Sequence, residues 1–335
     1  MLTTSLDEQS LLPKKEESEL RMIITTENAR EDIVIVELLK TCSKKKDIYT
    51  GNRLHAEILR RGLHEKNPYI ACSLISMFVK CGALGKAEAV HAELPMHDTV
   101  SWNALISGYI QEGKGHEALH SFESMQKEGL SPNGVTFICI LKACGSMGDV
   151  DKGKKIHEEI VGRGLLEKNV VIGNALVDMY TKCGILAKAR QVLLDLPVRN
   201  VVSWSTLIAG YAQMGQGHDA ISCFELMQRE GISPNDATFL CTLKACATVR
   251  AIGKGEQIHE EIMDRGLLKK NIMLGNALVD MYAKCGVLTK AQQVLNELPA
   301  RNVVCWSALI AGYTQEGQGH EALNCFVRMQ QEGIS

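Results

Sequence analysis

Val100-Ser-Trp102-Asn-Ala-Leu105-Ile-Ser-Gly108-Tyr109-Ile110 is the stretch whose reading decides the fold. Leu105 and Tyr109 stand four apart, and Leu105 and Gly108 three apart, which is the spacing of one helix face. Gly113-Lys-Gly115 then breaks the helix. A second run places Ala118, Phe122 and Met125 at i, i+4 and i+7, again one apolar stripe. Gly129 suits a C-terminal cap, and Pro132 stops any continuation. Residues 99–133 are therefore predicted to form a helix, a turn and a helix.

The same text returns along the chain. The only tryptophans are Trp102, Trp204 and Trp306, each 102 residues from the next. Lys80-Cys81-Gly82, Lys182-Cys183-Gly184 and Lys284-Cys285-Gly286 keep that period, as do His55, His157 and His259, and His116, His218 and His320. Each 102-residue unit divides into stretches of 35, 36 and 31 residues, seen at 201–235, 236–271 and 272–302. The other two types show the same form, with helices predicted over 136–143 and 153–161 in one, and 174–182 and 186–194 in the other. A helix pair of this size cannot bury its own apolar face, so neighbours must stack. The expected fold is all-α, an α-solenoid of helix-turn-helix repeats.

Composition agrees. Of 335 residues, 45% are hydrophobic, 23% charged and 5% aromatic, with 37 basic against 39 acidic groups. That excludes a disordered chain and a polybasic tail as the binding device. No run approaches the roughly 18 apolar residues of a membrane span, so no membrane partner is expected. The 12 cysteines are expected as reduced, mostly buried small hydrophobes. Residues 1–31 carry seven acidic and four basic groups and read as a poorly ordered acidic segment. They have neither the apolar core of a signal peptide nor the acid-poor character of a transit peptide.

The repeats resemble the pentatricopeptide repeat (PPR) family. Val201-Val-Ser-Trp204-Ser-Thr-Leu-Ile-Ala-Gly-Tyr211 with Glu230-Gly-Ile-Ser-Pro-Asn235 is similar to its 35-residue motif. Asp236-Ala-Thr-Phe-Leu-Cys-Thr-Leu-Lys-Ala-Cys246 is similar to its long variant, and Ile272-Met-Leu-Gly-Asn-Ala-Leu-Val-Asp-Met-Tyr-Ala-Lys-Cys-Gly286 to its short one. The alternation of normal, long and short motifs resembles the land-plant PLS subclass. On this reading the motifs are 32–67, 68–98, 99–133, 134–169, 170–200, 201–235, 236–271, 272–302 and a truncated one over 303–335. The last stops short of the expected Pro-Asn, as in a fragment. The resemblance implies a right-handed superhelix that binds single-stranded RNA, one base per repeat and in parallel, with the N-terminus at the 5′ end.

A base reader needs directional donors and acceptors at one fixed place in each repeat. The fifth motif position holds Asn103, Asn174, Ser205, Asn276 and Ser307, and the last holds Asp98, Asn133, Asn200, Asn235 and Asn302. Asn and Ser are also the preferred helix caps, so capping alone is the competing reading. The second position holds Val100, Val171, Val202, Met273 and Val304. In the family this side chain sandwiches the base; plain packing is the alternative. The resemblance implies pyrimidines for Asn103–Asn133, Asn174–Asn200 and Asn276–Asn302, adenine for Ser205–Asn235, and a purine for Ser307. The pair Cys72 and Asp98 departs from the usual combinations. Val36, Ile138 and Leu240 hold the fifth position of the long motifs and cannot hydrogen-bond a base. Lys40, Lys142 and Lys244, and Lys80, Lys182 and Lys284, are either phosphate contacts or solvated helix ends.

No catalytic residue, metal or cofactor is expected. His-x-Glu occurs at His55, His91, His157 and His259, but a zinc deaminase also needs Pro-Cys-x-x-Cys, which is missing. These histidines are expected on helix surfaces. Gly113-Lys-Gly115 lacks the following Ser/Thr of a phosphate loop. The resemblance implies site recognition in organellar C-to-U editing or RNA processing, in a mitochondrion or chloroplast, with a deaminase or accessory editing factor acting in trans. The competing class is a protein–protein scaffold of the peptide-binding α-solenoid type.

Overall fold

The computed structural model describes residues 28–167 and 169–334. Most of the acidic segment, residues 1–27, lies outside the described residues. Every regular element among the described residues is a helix. Two compact units divide between Ala143 and Cys144, within the helix Gly134–Met147.

In the first unit, helix Asn28–Lys45 packs on Pro68–Lys80, and Pro68–Lys80 on Thr99–Gln111. In the second unit, Val170–Lys182 packs on Val201–Gln213, which packs on Asp236–Val249, followed by Ile272–Lys284 and Val303–Gln315. Each of these first helices also packs on the helix that follows it, such as Gly217–Arg229 behind Val201–Gln213. The helices are longer than apolar periodicity predicts. Residues 136–143 lie within Gly134–Met147, 153–161 within Val150–Gly162, and 174–182 within Val170–Lys182. Periodicity sees only the buried face, whereas a helix runs from its cap to its stop signal. Caps are supplied locally. Asn235, for example, accepts from the Thr238 N–H at 2.9 Å, and Thr238 returns a capping box. At the other end, Gly184 turns the chain with φ 76°, letting the Ile185 N–H reach the Tyr180 carbonyl at 2.9 Å.

The core is built from several large side chains on each first helix, such as Trp204, Leu207, Ile208 and Tyr211 on Val201–Gln213. Trp204, Trp306, Tyr180, Tyr282, Phe224 and Phe239 are fully buried. Each side chain of this kind contributes roughly 2–3 kcal/mol by leaving water. All twelve cysteines are free, and Cys144 and Cys246 are completely buried, where burial pushes both thiols up to about 12.

The junctions in the second unit are shaped by glycine, and each junction differs. From the long to the short motif, Gly153 faces the buried Met179 thioether; a Cβ there would stand 2.6 Å from Sδ. From the short to the normal motif, a Cβ on Gly210 would collide with Thr181 Cγ2. From the normal to the long motif, a Cβ on Gly217 would stand 2.8 Å from the Ala245 carbonyl oxygen, which is backbone and cannot step aside.

The His-x-Glu histidines are not surface groups. His157 and His259 are half-buried, each with Nδ1 3.0 Å from the hydroxyl of Tyr180 or Tyr282. His55 meets Phe78 edge-on at 5.2 Å, and His91 is buried against Trp102. The partner tyrosines lie 23 residues further on, on the first helix of the next repeat, so the position faces inward across the junction between repeats.

Candidate nucleic-acid interface

Capping and base reading are the alternatives for the last-position asparagines. The structure shows that one atom does the capping. Asn200 Oδ1 accepts from the N–H groups of Val202 and Ser203, both at 3.0 Å. Asn133 Oδ1 accepts from Val135 and Thr136 at 3.0 and 3.1 Å. Asn302 Oδ1 accepts from Val304 and Cys305 at 3.0 and 3.1 Å. With Asn235, four asparagines commit their oxygen to the helix that follows. Their Nδ2 groups donate to nothing among the described residues. A cap by the oxygen thus leaves an amide donor, with two protons, for a ligand.

The fifth-position side chains come up against these caps. Asn103 Nδ2 donates to Asn133 Oδ1 at 3.2 Å, and Asn174 Nδ2 to Asn200 Oδ1 at 3.4 Å. Asn103 is buried and Asn174 half-buried. Ser205 lies 2.7 Å from the Thr238 hydroxyl. Thr238 directs its own proton to Asn235 Oδ1 at 2.8 Å, so Ser205 donates and its lone pairs remain available. Asn276 makes no hydrogen bond to Asn302 among the described residues. Ser307 is exposed. Cys72 Sγ sits 3.7 Å from Asp98 Oδ1, which is itself occupied by the Ser101 N–H at 2.7 Å.

The second-position side chains do not pack into the core. Val100, Val171, Val202, Met273 and Val304 are between 52% and 60% exposed. Apolar side chains standing in solvent at one register, next to unpaired amide donors, make a surface suited to a flat ring with polar edges. In the long motifs, Val36, Ile138 and Leu240 are half-buried in the place of the polar reader.

Sequence reasoning missed a third group, the residue three after each cap. Thr136, Ser203 and Thr238 are fully buried, and each bonds back to the fifth-position residue of the preceding repeat. The signal was present as a Ser/Thr column in register, one position before Phe137, Trp204 and Phe239.

Among the periodic lysines, Lys182 pairs with Asp178 and Lys284 with Asp280, both at 2.7 Å, and Lys40 pairs with Glu37 at 2.5 Å. Lys80, Lys142 and Lys244 have no ion pair among the described residues.

Comparison with known proteins places this arrangement. A profile of the PPR repeat family matches residues 97–165 and 199–248, and one of the PPR repeat matches 276–303 and 304–334. Together these take in more than half of the chain, which belongs to the pentatricopeptide repeat family. A chloroplastic pentatricopeptide repeat-containing protein of Arabidopsis thaliana is 36% identical over 303 residues, 90% of this chain and 49% of that protein. A putative mitochondrial one from the same plant is 35% identical over 295 residues, 88% of this chain and 46% of that protein. The chain thus spans about half the length of the curated relatives it matches. Among solved structures, the pentatricopeptide repeat protein PPR10 from maize superposes with a TM-score of 0.71 at 19% identity, over 96% of this chain and 51% of that one. PPR10 in complex with an 18-nt psaJ RNA element gives 0.70 at 20% identity, over 98% and 52%. The fold is the α-solenoid of these structures.

Proposed function

We infer that this chain is a sequence-specific single-stranded RNA-binding protein that reads one base per repeat. The observation that carries the reading is the division of labour in Asn133, Asn200, Asn235 and Asn302, where the oxygen caps a helix and the amide is left for a ligand. The exposed Val100, Val171, Val202, Met273 and Val304 supply the apolar walls between which a base can lie. Ser205 with Asn235 offers one acceptor and one donor. That order is complementary to the 6-amino group and N1 of adenine, a pattern cytosine shares at smaller size. The long motifs, with Val36, Ile138 and Leu240, space the strand without reading it.

The chain acts as a site-recognition factor in C-to-U editing or processing of organellar transcripts, in a mitochondrion or chloroplast, with the chemical step supplied by a deaminase or accessory factor in trans. The chloroplastic and mitochondrial names of the Arabidopsis relatives support that setting. The 35-, 36- and 31-residue alternation supports the PLS subclass.

The test is selection of a randomised single-stranded RNA pool on the purified chain, with the bound strands sequenced. The expected outcome is pyrimidines opposite Asn103–Asn133 and Asn174–Asn200, and adenine opposite Ser205–Asn235, at one-base-per-repeat spacing. A folded chain that enriches no sequence at low salt would turn the assignment to a protein–protein scaffold.

A further inference from the structure

The buried hydroxyl three residues after each cap does more than close a capping box. Thr136 Oγ1 donates to Asn103 Oδ1 at 2.7 Å, across the junction between two repeats. Ser203 Oγ donates to Asn174 Oδ1 at 2.5 Å. Asn174 is thereby held at both ends, its oxygen by Ser203 and its amide by Asn200. At the equivalent place 102 residues on stands Cys305. Its Sγ lies 3.1 Å from the Asn302 carbonyl oxygen and reaches nothing on Asn276. Asn276 Oδ1 is buried with no hydrogen-bond partner. A thiol is a weak donor on a longer bond, so it does not replace the hydroxyl.

Repeats 170–200 and 272–302 carry the same Asn/Asn pair and differ in this hold. A carboxamide turned over about χ2 exchanges its donor and its acceptor, which look alike in shape and opposite in hydrogen bonding. We propose that the third-position hydroxyl of each repeat is a positioning residue for the base reader of the repeat before it, and that Cys305 leaves Asn276 free to turn over. Repeat 272–302 then discriminates bases more loosely than repeat 170–200, although both show the same pair. This rests on the RNA reading above.

The experiment is a reciprocal exchange, Cys305→Ser and Ser203→Cys, each confirmed as folded by its thermal transition. Two readouts are taken. In RNA-free protein, NMR relaxation of the side-chain amides reports whether Asn174 and Asn276 are fixed. In the selected RNA pool, the base ratio at each nucleotide reports discrimination. Cys305→Ser is expected to order Asn276 and sharpen its nucleotide about threefold to tenfold, the worth of one neutral hydrogen bond. Ser203→Cys is expected to loosen Asn174 and its nucleotide by a similar factor, with other positions unchanged. Unchanged ratios at both nucleotides, with selectivity kept elsewhere, would overturn the positioning role. If no nucleotide is selected by any form, the RNA reading fails. The amide relaxation then decides the hold alone, and equal order at Asn174 and Asn276 would sink it.

Discussion

Glu230 takes the indole proton of Trp204: the N–H donates to Oε2 at 3.1 Å, from a fully buried ring to the end of the repeat's second helix. Arg199 pairs with the same carboxylate at 3.0 Å. The first unit repeats the bond as Trp102 to Glu128 at 3.0 Å, with His97 in place of the arginine. At Trp306 it is absent: Glu332 pairs with Arg301 at 2.6 Å, and the indole N–H is left without a hydrogen-bond partner. Glu230→Ala would strand a buried donor and is expected to cost about 1–3 kcal/mol. Glu332→Ala removes only a part-exposed ion pair, worth about 1 kcal/mol or less. Denaturant unfolding of the two variants checks the difference; equal losses would contradict it.

Asn200 allows cap and reader to be separated. Asp caps a helix as well as Asn does and adds a favourable charge at the N-terminus. Asn200→Asp should therefore leave stability within about 0.5 kcal/mol of the parent. It replaces the free amide donor with an acceptor, so the preferred base at that one nucleotide should change. Asn200→Ala loses both functions and should cost about 1 kcal/mol. Thermal unfolding together with RNA selection on the same proteins gives the answer.

The periodic lysines should not contribute equally to RNA affinity. Lys244 has no ion pair among the described residues, whereas Lys284 is already neutralised by Asp280 at 2.7 Å. Each phosphate contact on a single strand adds about 0.7 to the slope of log K against log salt. Lys244→Ala should flatten the slope by about that amount, and Lys284→Ala by less. A salt titration of binding for both variants separates them.

Acid should weaken the first unit through His91. Burial, with the His97 ring stacked 4.2 Å away, pushes His91 down to about 4 from an ordinary value of 6.5. The folded chain therefore keeps this imidazole neutral where the unfolded chain binds a proton. Stability is whole above pH 6.5 and is lost as pH falls from there to about 4. The loss from this group reaches about 3 kcal/mol at the bottom of that window, at about 1.4 kcal/mol per pH unit. His91→Leu should flatten the pH dependence relative to the parent in a series of denaturant midpoints. His55, His157 and His259 are also lowered by burial, so the difference between the two proteins is the quantity to read.

Much of the fold was legible because Trp102, Trp204 and Trp306 sit in an unbroken period, and a period of helix pairs has one stable solution. The candidate reading positions stood out as a column of Asn and Ser. Their capping geometry was not, because a residue name does not say which of its two polar atoms faces the helix. Cys305 stood in plain view opposite Ser203, but its effect falls on Asn276, in another repeat. The inward histidines were missed for the same reason: His157 and Tyr180 meet only once the two repeats have stacked. Asp178 four residues before Lys182 could have been read as a helix-face ion pair from spacing alone.

The three glycine fits bear on how such a chain can grow. Gly153 accepts Met179, Gly210 accepts Thr181 and Gly217 accepts the backbone at Ala245, so each junction between motif types has a socket cut for one particular neighbour. Copying a single motif next to itself would set two surfaces of the same kind together, with a socket but no matching plug. Copying 102 residues restores every contact at the new seam, wherever in the unit the copy begins. The modules that can be added or traded without repair are therefore trios, and a chain of this kind lengthens three repeats at a time.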